Sequence, residues 1–169
     1  MRQRCFELLE QSAKASADKL KFFRLAFGAA GGFGDNVPVN EARVLVDALV
    51  GANKRVSVNW MFGVDSLAKP AVKTLLNLAL IGLDALVRGG TLDVGAEVHG
   101  GVTEIVVRAA GQRIAFDPTI GQALEGTLAA GELSSRTAPA AMVQQLAASV
   151  GGSVQVHVTA ESLVMGAVL

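Results

Sequence analysis

Lys73, Asn77, Asp84 and Arg88 share one face of a single long apolar run, and Ile81 stands in the middle of that face. An amide and a carboxylate on such a face could offer oxygen to a hard divalent cation, which is held by oxygen ligands. Ile81 offers none. Asn77 and Asp84 read equally as capping or solvent-facing polar residues. Asp117, followed by Pro118, reads as a turn or helix N-cap residue, because proline removes an amide donor from that turn. His99 precedes Gly100-Gly101 and His157 lies in a strand pattern, neither with a second histidine or a cysteine at helical spacing. Ser134, Ser135 and Ser153 lack a Gly-x-Ser-x-Gly elbow, and Cys5 has no histidine partner within reach. The residues therefore predict no catalytic group, no metal site and no cofactor.

The elements that must position these residues belong to a chain with a real core. Of its 169 residues 51% are hydrophobic and 18% charged, which excludes a disordered tail. Lys+Arg and Asp+Glu stand at 15 each, so no global field favours nucleic acid or an anionic membrane. The single Cys5 excludes a disulfide framework and fits a reducing compartment. No charge-free apolar run of membrane-spanning length occurs, and the first residues lack a signal-peptide core. A soluble, cytoplasmic protein is expected.

Arg2 to Phe27 reads as one helix of about 40 Å. Phe6, Leu9, Ala13, Ser16, Leu20, Phe23 and Phe27 recur at steps of three and four, the seam of a helical bundle. Ala15, Phe22 and Ala26 form a second stripe. Each exposed Leu or Phe of that seam forgoes roughly 1.5–3 kcal/mol of burial, so a partner surface is expected. The alternative is a helix folded back on its own domain. The glycine-rich stretch from Gly28 to Pro38 ends the helix, and the chain divides into a helix (1–30), a linker (31–38) and a compact body (39–169).

In the body, residues 39–54 predict a helix capped by Asn40, and 54–62 a strand. The buried helix follows with Pro70 in its first turn. Three strands are expected over 89–100, 101–111 and 112–118, with Gly100-Gly101 as a hairpin turn. Helices over 118–132 and 134–152 and a final strand pair around Ala160-Glu161 complete an α/β sandwich, one sheet covered on one side by helices.

Leu-Leu-Asn77-Leu, then Asp84-Ala85 and Gly89-Gly90-Thr91-Leu92, is similar to the nucleotide box of histidine-kinase (GHKL/Bergerat) ATPase domains. In that fold two asparagines one turn apart, the second followed by alanine, orient phosphate-bound magnesium. Asn77 matches the first; Ile81 and Gly82 replace the second asparagine and its alanine. The adenine-reading Asp-x-Gly-x-Gly turn is reduced to Asp117 with one glycine four residues on, and "RTAPAAMVQQL" has no lid glycine. The run Lys-Leu-x-Phe-Phe-Arg-Leu-Ala-Phe-Gly from Lys19 to Gly28 resembles the second bundle helix of ChpT-type histidine phosphotransferases, and the likeness covers nearly the whole chain.

That resemblance implies an α+β protein: a long N-terminal bundle helix followed by a degenerate Bergerat-type sandwich that binds no ATP. It implies a homodimer through a four-helix bundle, and partners that are receiver domains of a hybrid kinase and a response regulator. Glu7, Gln11 and Lys14 are the polar positions expected to touch them. The family's acceptor histidine belongs to a His-Asp pair on the first bundle helix, and no such pair occurs here. A gene start placed too late or a truncated paralogue is expected. Two alternatives remain: a non-catalytic dimerising adaptor of receivers, and a divergent ATP binder with a pocket around Asn77 and Asp117.

Overall fold

The computed structural model describes residues 1–28, 34–51, 53 and 55–169. Its first element, α1 (Arg2–Phe27), is a helix of 26 residues, ended by Gly28, whose N–H donates to the Arg24 carbonyl at 2.9 Å. A Cβ at Gly28 would collide with that carbonyl, so the helix stops on the one residue type that fits. Only the last turns of α1 are buried, through Phe22, Leu25 and Ala26. These pack beside Ala42, Leu45 and Val46 of α2 (Val39–Val50) in the same hydrophobic core.

Of the linker expected over 31–38, residues 31–33 lie outside the described residues, and Asn36–Pro38 form a strand, β1. It pairs antiparallel with β3 (Ser66–Ala68), Val37 opposite Leu67, both buried. Neither three-residue strand is long enough to show an alternating pattern in the sequence. Their ladder solves a capping problem twice. The first N–H of α2, on Val39, donates to the Asp65 carbonyl at 3.0 Å. The first N–H of α3 (Lys69–Ala85), on Lys69, donates to the Asp35 carbonyl at 3.1 Å. Each helix start is thus closed by the loop leading into the other. Asn40 therefore does not cap α2: the cap position is Pro38 and no side chain bonds there. Helix α2 ends at Val50, and residues 52 and 54 of its expected extension lie outside the described residues.

The main sheet has five strands in the order β2-β4-β5-β7-β6. They are β2 (Val56–Phe62), β4 (Gly90–His99), β5 (Val102–Ala110), β6 (Ser153–Val158) and β7 (Ser162–Val168). β2 and β4 run parallel, joined through α3; all other pairs are antiparallel. Leu92, Val94 and Ala96, Ile105, Val107 and Ala109, and Leu163, Met165 and Ala167 are the buried alternates of the three central strands. They meet α3 and α5 (Ala138–Ser149). The opposite face carries Asn59, Asp93 and Arg108 side by side; Asn59 donates to Asp93 at 2.8 Å and Arg108 at 3.1 Å. A buried apolar face under the helices and an exposed face opposite, which also carries Met61 and Val106, are what a sheet covered on one side shows.

The hairpin at Gly100-Gly101 forms as expected, with both glycines at positive φ (58° and 83°). Residues 112–117 do not form the expected strand. Their amides are used across elements: Ile114 donates to the Ala160 carbonyl and Ala115 to the Ala85 carbonyl, each at 3.0 Å. The second bond satisfies an open carbonyl at the end of α3, which outweighs a ladder. The helix expected over 118–132 is shorter, α4 (Pro118–Glu125), ended by Gly126 in the left-handed region at φ 74°, with a 3-10 turn at Ala130–Glu132.

Candidate functional site

Helix α3 is apolar on nearly all sides, and its one polar-bearing flank is the floor of the site. The structure divides that flank in two. Ile81 and Asp84 line a cavity of about 120 Å³ together with Ala85, Phe116, Asp117 and Arg136. Asn77, one turn earlier, does not reach it. The Asn77 side chain is fully buried, and its Nδ2 donates to the Ala26 carbonyl of α1 at 3.1 Å and to the Lys73 carbonyl at 2.8 Å. The expected common face of Lys73, Asn77, Asp84 and Arg88 is thus not one site. Asn77 is neither a solvent-facing residue nor a cap of its own helix; it holds the end of another helix. Its Oδ1 and the hydroxyl of Thr74 are buried and have no partner among the described residues.

Ile81, 4% exposed, puts hydrocarbon at the middle of the cavity wall. Gly82 faces the opposite way, onto the sheet, where a Cβ would stand 2.6 Å from Leu92 Cδ1 and 3.3 Å from Val107 Cγ1. The missing side chain lets the helix approach the sheet closely, and a Cβ here would make Leu92 shift.

Asp117 caps α4. Its Oδ1 accepts from the Thr119 N–H at 2.9 Å and from the Thr119 hydroxyl at 2.8 Å, and its Oδ2 lies 3.7 Å from the Arg136 guanidinium. The Thr119 hydrogen bonds, and then the Arg136 charge, hold this carboxyl below the usual aspartate range. Asp84 is pushed the other way: partial burial of its carboxylate raises its pKa, and Arg136 opposes the rise. Arg136, just before α5, thus pairs with Asp117 and lines the same cavity as Asp84, on which its charge acts. Sequence reasoning did not single it out, and no local pattern marks it: its partners are 19 and 52 positions away. At about 120 Å³ the cavity is well below the roughly 300–1,000 Å³ of small-molecule sites.

The other candidates lie elsewhere. His99 is exposed near the hairpin turn, its Nε2 3.0 Å from a Glu97 carboxylate oxygen. His157 is exposed on β6. Cys5 is an exposed free thiol on α1, beside a shallow apolar groove lined by Met1, Phe6 and Leu9. Glu7, Gln11 and Lys14 are exposed, as are Phe6, Leu9, Ala13, Ser16, Leu20 and Phe23; Phe27 is half-buried. The body covers a different stripe, Phe22, Leu25 and Ala26. Leu25 was not expected there. Among the described residues no three His, Cys, Asp or Glu gather as a metal cage, and no helix is long and apolar enough to cross a membrane.

Comparison with known proteins agrees with this architecture. The chain is 29% identical over 160 residues to Protein phosphotransferase ChpT of Brucella abortus (strain 2308), covering 95% of this chain and 76% of that protein. A solved bacterial phosphotransferase superposes with a TM-score of 0.82 at 28% identity, over 98% of this chain and 79% of the other. The histidine kinase domain of the blue-light activated kinase of Erythrobacter litoralis EL346 shares the fold, with a TM-score of 0.59 at 13% identity over 92% of this chain and 74% of the other. The family model for the histidine phosphotransferase C-terminal domain matches residues 39–162. A long helix leading into a kinase-type mixed sheet, with that model spanning most of the sheet and its helices, establishes that this chain belongs to the histidine phosphotransferase family.

Proposed function

We propose that this chain docks receiver domains in a phosphorelay and does so without binding ATP. Membership of the histidine phosphotransferase family makes it a phosphorelay component. The observation that carries the finer reading is the small cavity at Ile81. At position 81 magnesium would meet an aliphatic side chain, and of the two carboxylates that line the cavity Asp117 is already bonded to Thr119 and faces Arg136. Asp117 commits one oxygen to Thr119 and the other faces Arg136, leaving little to accept from an adenine amine.

In such a relay an imidazole nitrogen attacks the phosphorus of a receiver's aspartyl phosphate. A P–N bond forms as the P–O bond to the carboxylate breaks, and the transfer is then repeated onto a second receiver's aspartate. His99 is followed by Gly100 and His157 by Val158, so neither belongs to a His-Asp pair. We assign the acceptor to a helix that pairs with the seam of α1 and not to either histidine. Phe6 at 69%, Leu9 at 65%, Leu20 at 71% and Phe23 at 43% exposure leave that seam open. Covering it in a bundle with a second copy recovers roughly 1.5–3 kcal/mol per large side chain. Glu7, Gln11 and Lys14 then border the bundle where a receiver would sit.

A second reading is an adaptor that holds receivers without passing phosphate. One experiment tests the docking and the acceptor assignment. A phosphorylated receiver is mixed with the chain, and binding and phosphate transfer are followed together. Binding without transfer agrees with both readings, transfer to His99 or His157 contradicts the assignment of the acceptor, and no binding removes the receiver partner. Titration calorimetry with magnesium-ATP is expected to give no heat; tight binding abolished by Asp117→Ala would establish a divergent ATP pocket instead. Leu20→Lys is expected to weaken self-association in sedimentation experiments while leaving the thermal midpoint of the body unchanged.

A further inference from the structure

We propose that Asn77 is a positioning residue: its buried amide fixes the last turn of α1 on α3 and thereby sets the direction in which the exposed helix leaves the body. The proposal rests on the receiver-docking reading, in which a partner touching both α1 and the body needs the two in one fixed relation.

A helix ends with four carbonyls that have no partner within it. At the end of α1 the Arg24 carbonyl is taken by the Gly28 N–H and the Ala26 carbonyl by Asn77 Nδ2. The second bond joins residues 51 positions apart and is buried. The other hydrogen of the same amide goes to the Lys73 carbonyl, within α3. One planar group therefore ties two helices, and neither bond can swing without breaking the other. Around it Phe22 and Ala26 are fully buried, and Phe22 meets Phe23 edge to face at 5.5 Å. Apolar packing of this kind holds the two helices together but is non-directional; the amide adds direction. Residues 2–21 of α1 have no buried member. A small tilt at Ala26 is therefore carried along the remaining turns without correction by the body.

The test uses the full chain and its single native cysteine. A spin label on Cys5 is paired with one on Gln155→Cys, both exposed, the labelled protein being diluted in a large excess of unlabelled Cys5→Ser chain. One narrow distance distribution is expected for the parent. Asn77→Ala is expected to broaden it and to raise hydrogen exchange at the Phe27 and Gly28 amides about 5- to 30-fold, the loss of one buried hydrogen bond. Thr74→Val, equally buried on α3 but without a bond to α1, is expected to do neither. Should Asn77→Ala lose the fold, Asn77→Leu keeps roughly the volume and lacks the donors. An unchanged distribution in the folded variant, equal broadening by Thr74→Val, or loss of fold in both Asn77 variants overturns the proposal. The distances are read without a receiver, so a failure of receivers to bind refutes the docking reading alone.

Discussion

Placing asparagine at position 81 would restore the residue type that a magnesium-holding box carries there, and the outcome is calculable. Ile81 is 4% exposed, so Ile81→Asn gives up most of the transfer energy of a buried isoleucine, roughly 1.5–3 kcal/mol. The new amide must also find partners in a cavity whose lining is mostly Ala85, Val87, Phe116, Ile120 and Pro139, and whose polar members are Asp84, Asp117 and Arg136. An unsatisfied buried amide costs about 1–3 kcal/mol more. Water entering the cavity of about 120 Å³ would relieve part of this, since one water needs only a small fraction of that space. A net loss of about 3 kcal/mol follows, which for a chain of this size lowers the thermal midpoint by roughly 6–12 °C. The substitution supplies one oxygen, while Asp117 stays committed to Thr119 and Arg136. Urea and thermal unfolding give the stability, and calorimetry with magnesium-ATP the binding. A variant as stable as the parent, or one that binds magnesium-ATP, would refute the account of this pocket as a collapsed one.

Gly82→Ala brings a methyl to 2.6 Å from Leu92 Cδ1. Overpacking of about 1–3 kcal/mol, less about 1 kcal/mol of improved helix propensity, predicts a net loss of about 1 kcal/mol in urea unfolding; a gain in stability would show that Leu92 moves aside freely. For Asp117 the folded pKa lies below its ordinary value of 3.8, first through the Thr119 hydrogen bonds. Its contribution is therefore fully present above the unfolded pKa and is lost as pH falls through the folded one. Asp84, raised by burial, has the opposite sign: its contribution declines as pH rises from 3.8 toward its folded pKa. Asp117→Asn should flatten the acid limb of a stability–pH curve and Asp84→Asn should steepen it, and an Asp117→Asn curve parallel to the parent's contradicts the assignment.

Much of the fold is local chemistry and could be read in advance. The 3.6-residue rhythm of α3, Pro70 in its first turn, Asp117 two residues before Thr119 and the glycine pair at 100–101 act within a few positions of themselves. The alternation in β4, β5 and β7 matches the buried set because each strand has one apolar face. Failures came where another part of the chain supplied the partner. Asn40 has the right type for a cap, but Asp65 already closes that helix start. Residues 112–117 look like a strand, yet their amides answer carbonyls at Ala85 and Ala160.

The candidate site follows the same division. That the side chain at position 81 carries no oxygen and that no His-Asp pair is present were both decided by the order of residues alone. The tertiary structure alone decided that Asn77 turns toward α1 and not toward Ile81, that Arg136 lines one cavity with Asp84 and Asp117, and that Gly82 faces Leu92. Helical periodicity gives the face on which a side chain lies. Which distant backbone or guanidinium arrives at that face depends on how α1, α3 and the segment before α5 pack together, and that is a property of the assembled core.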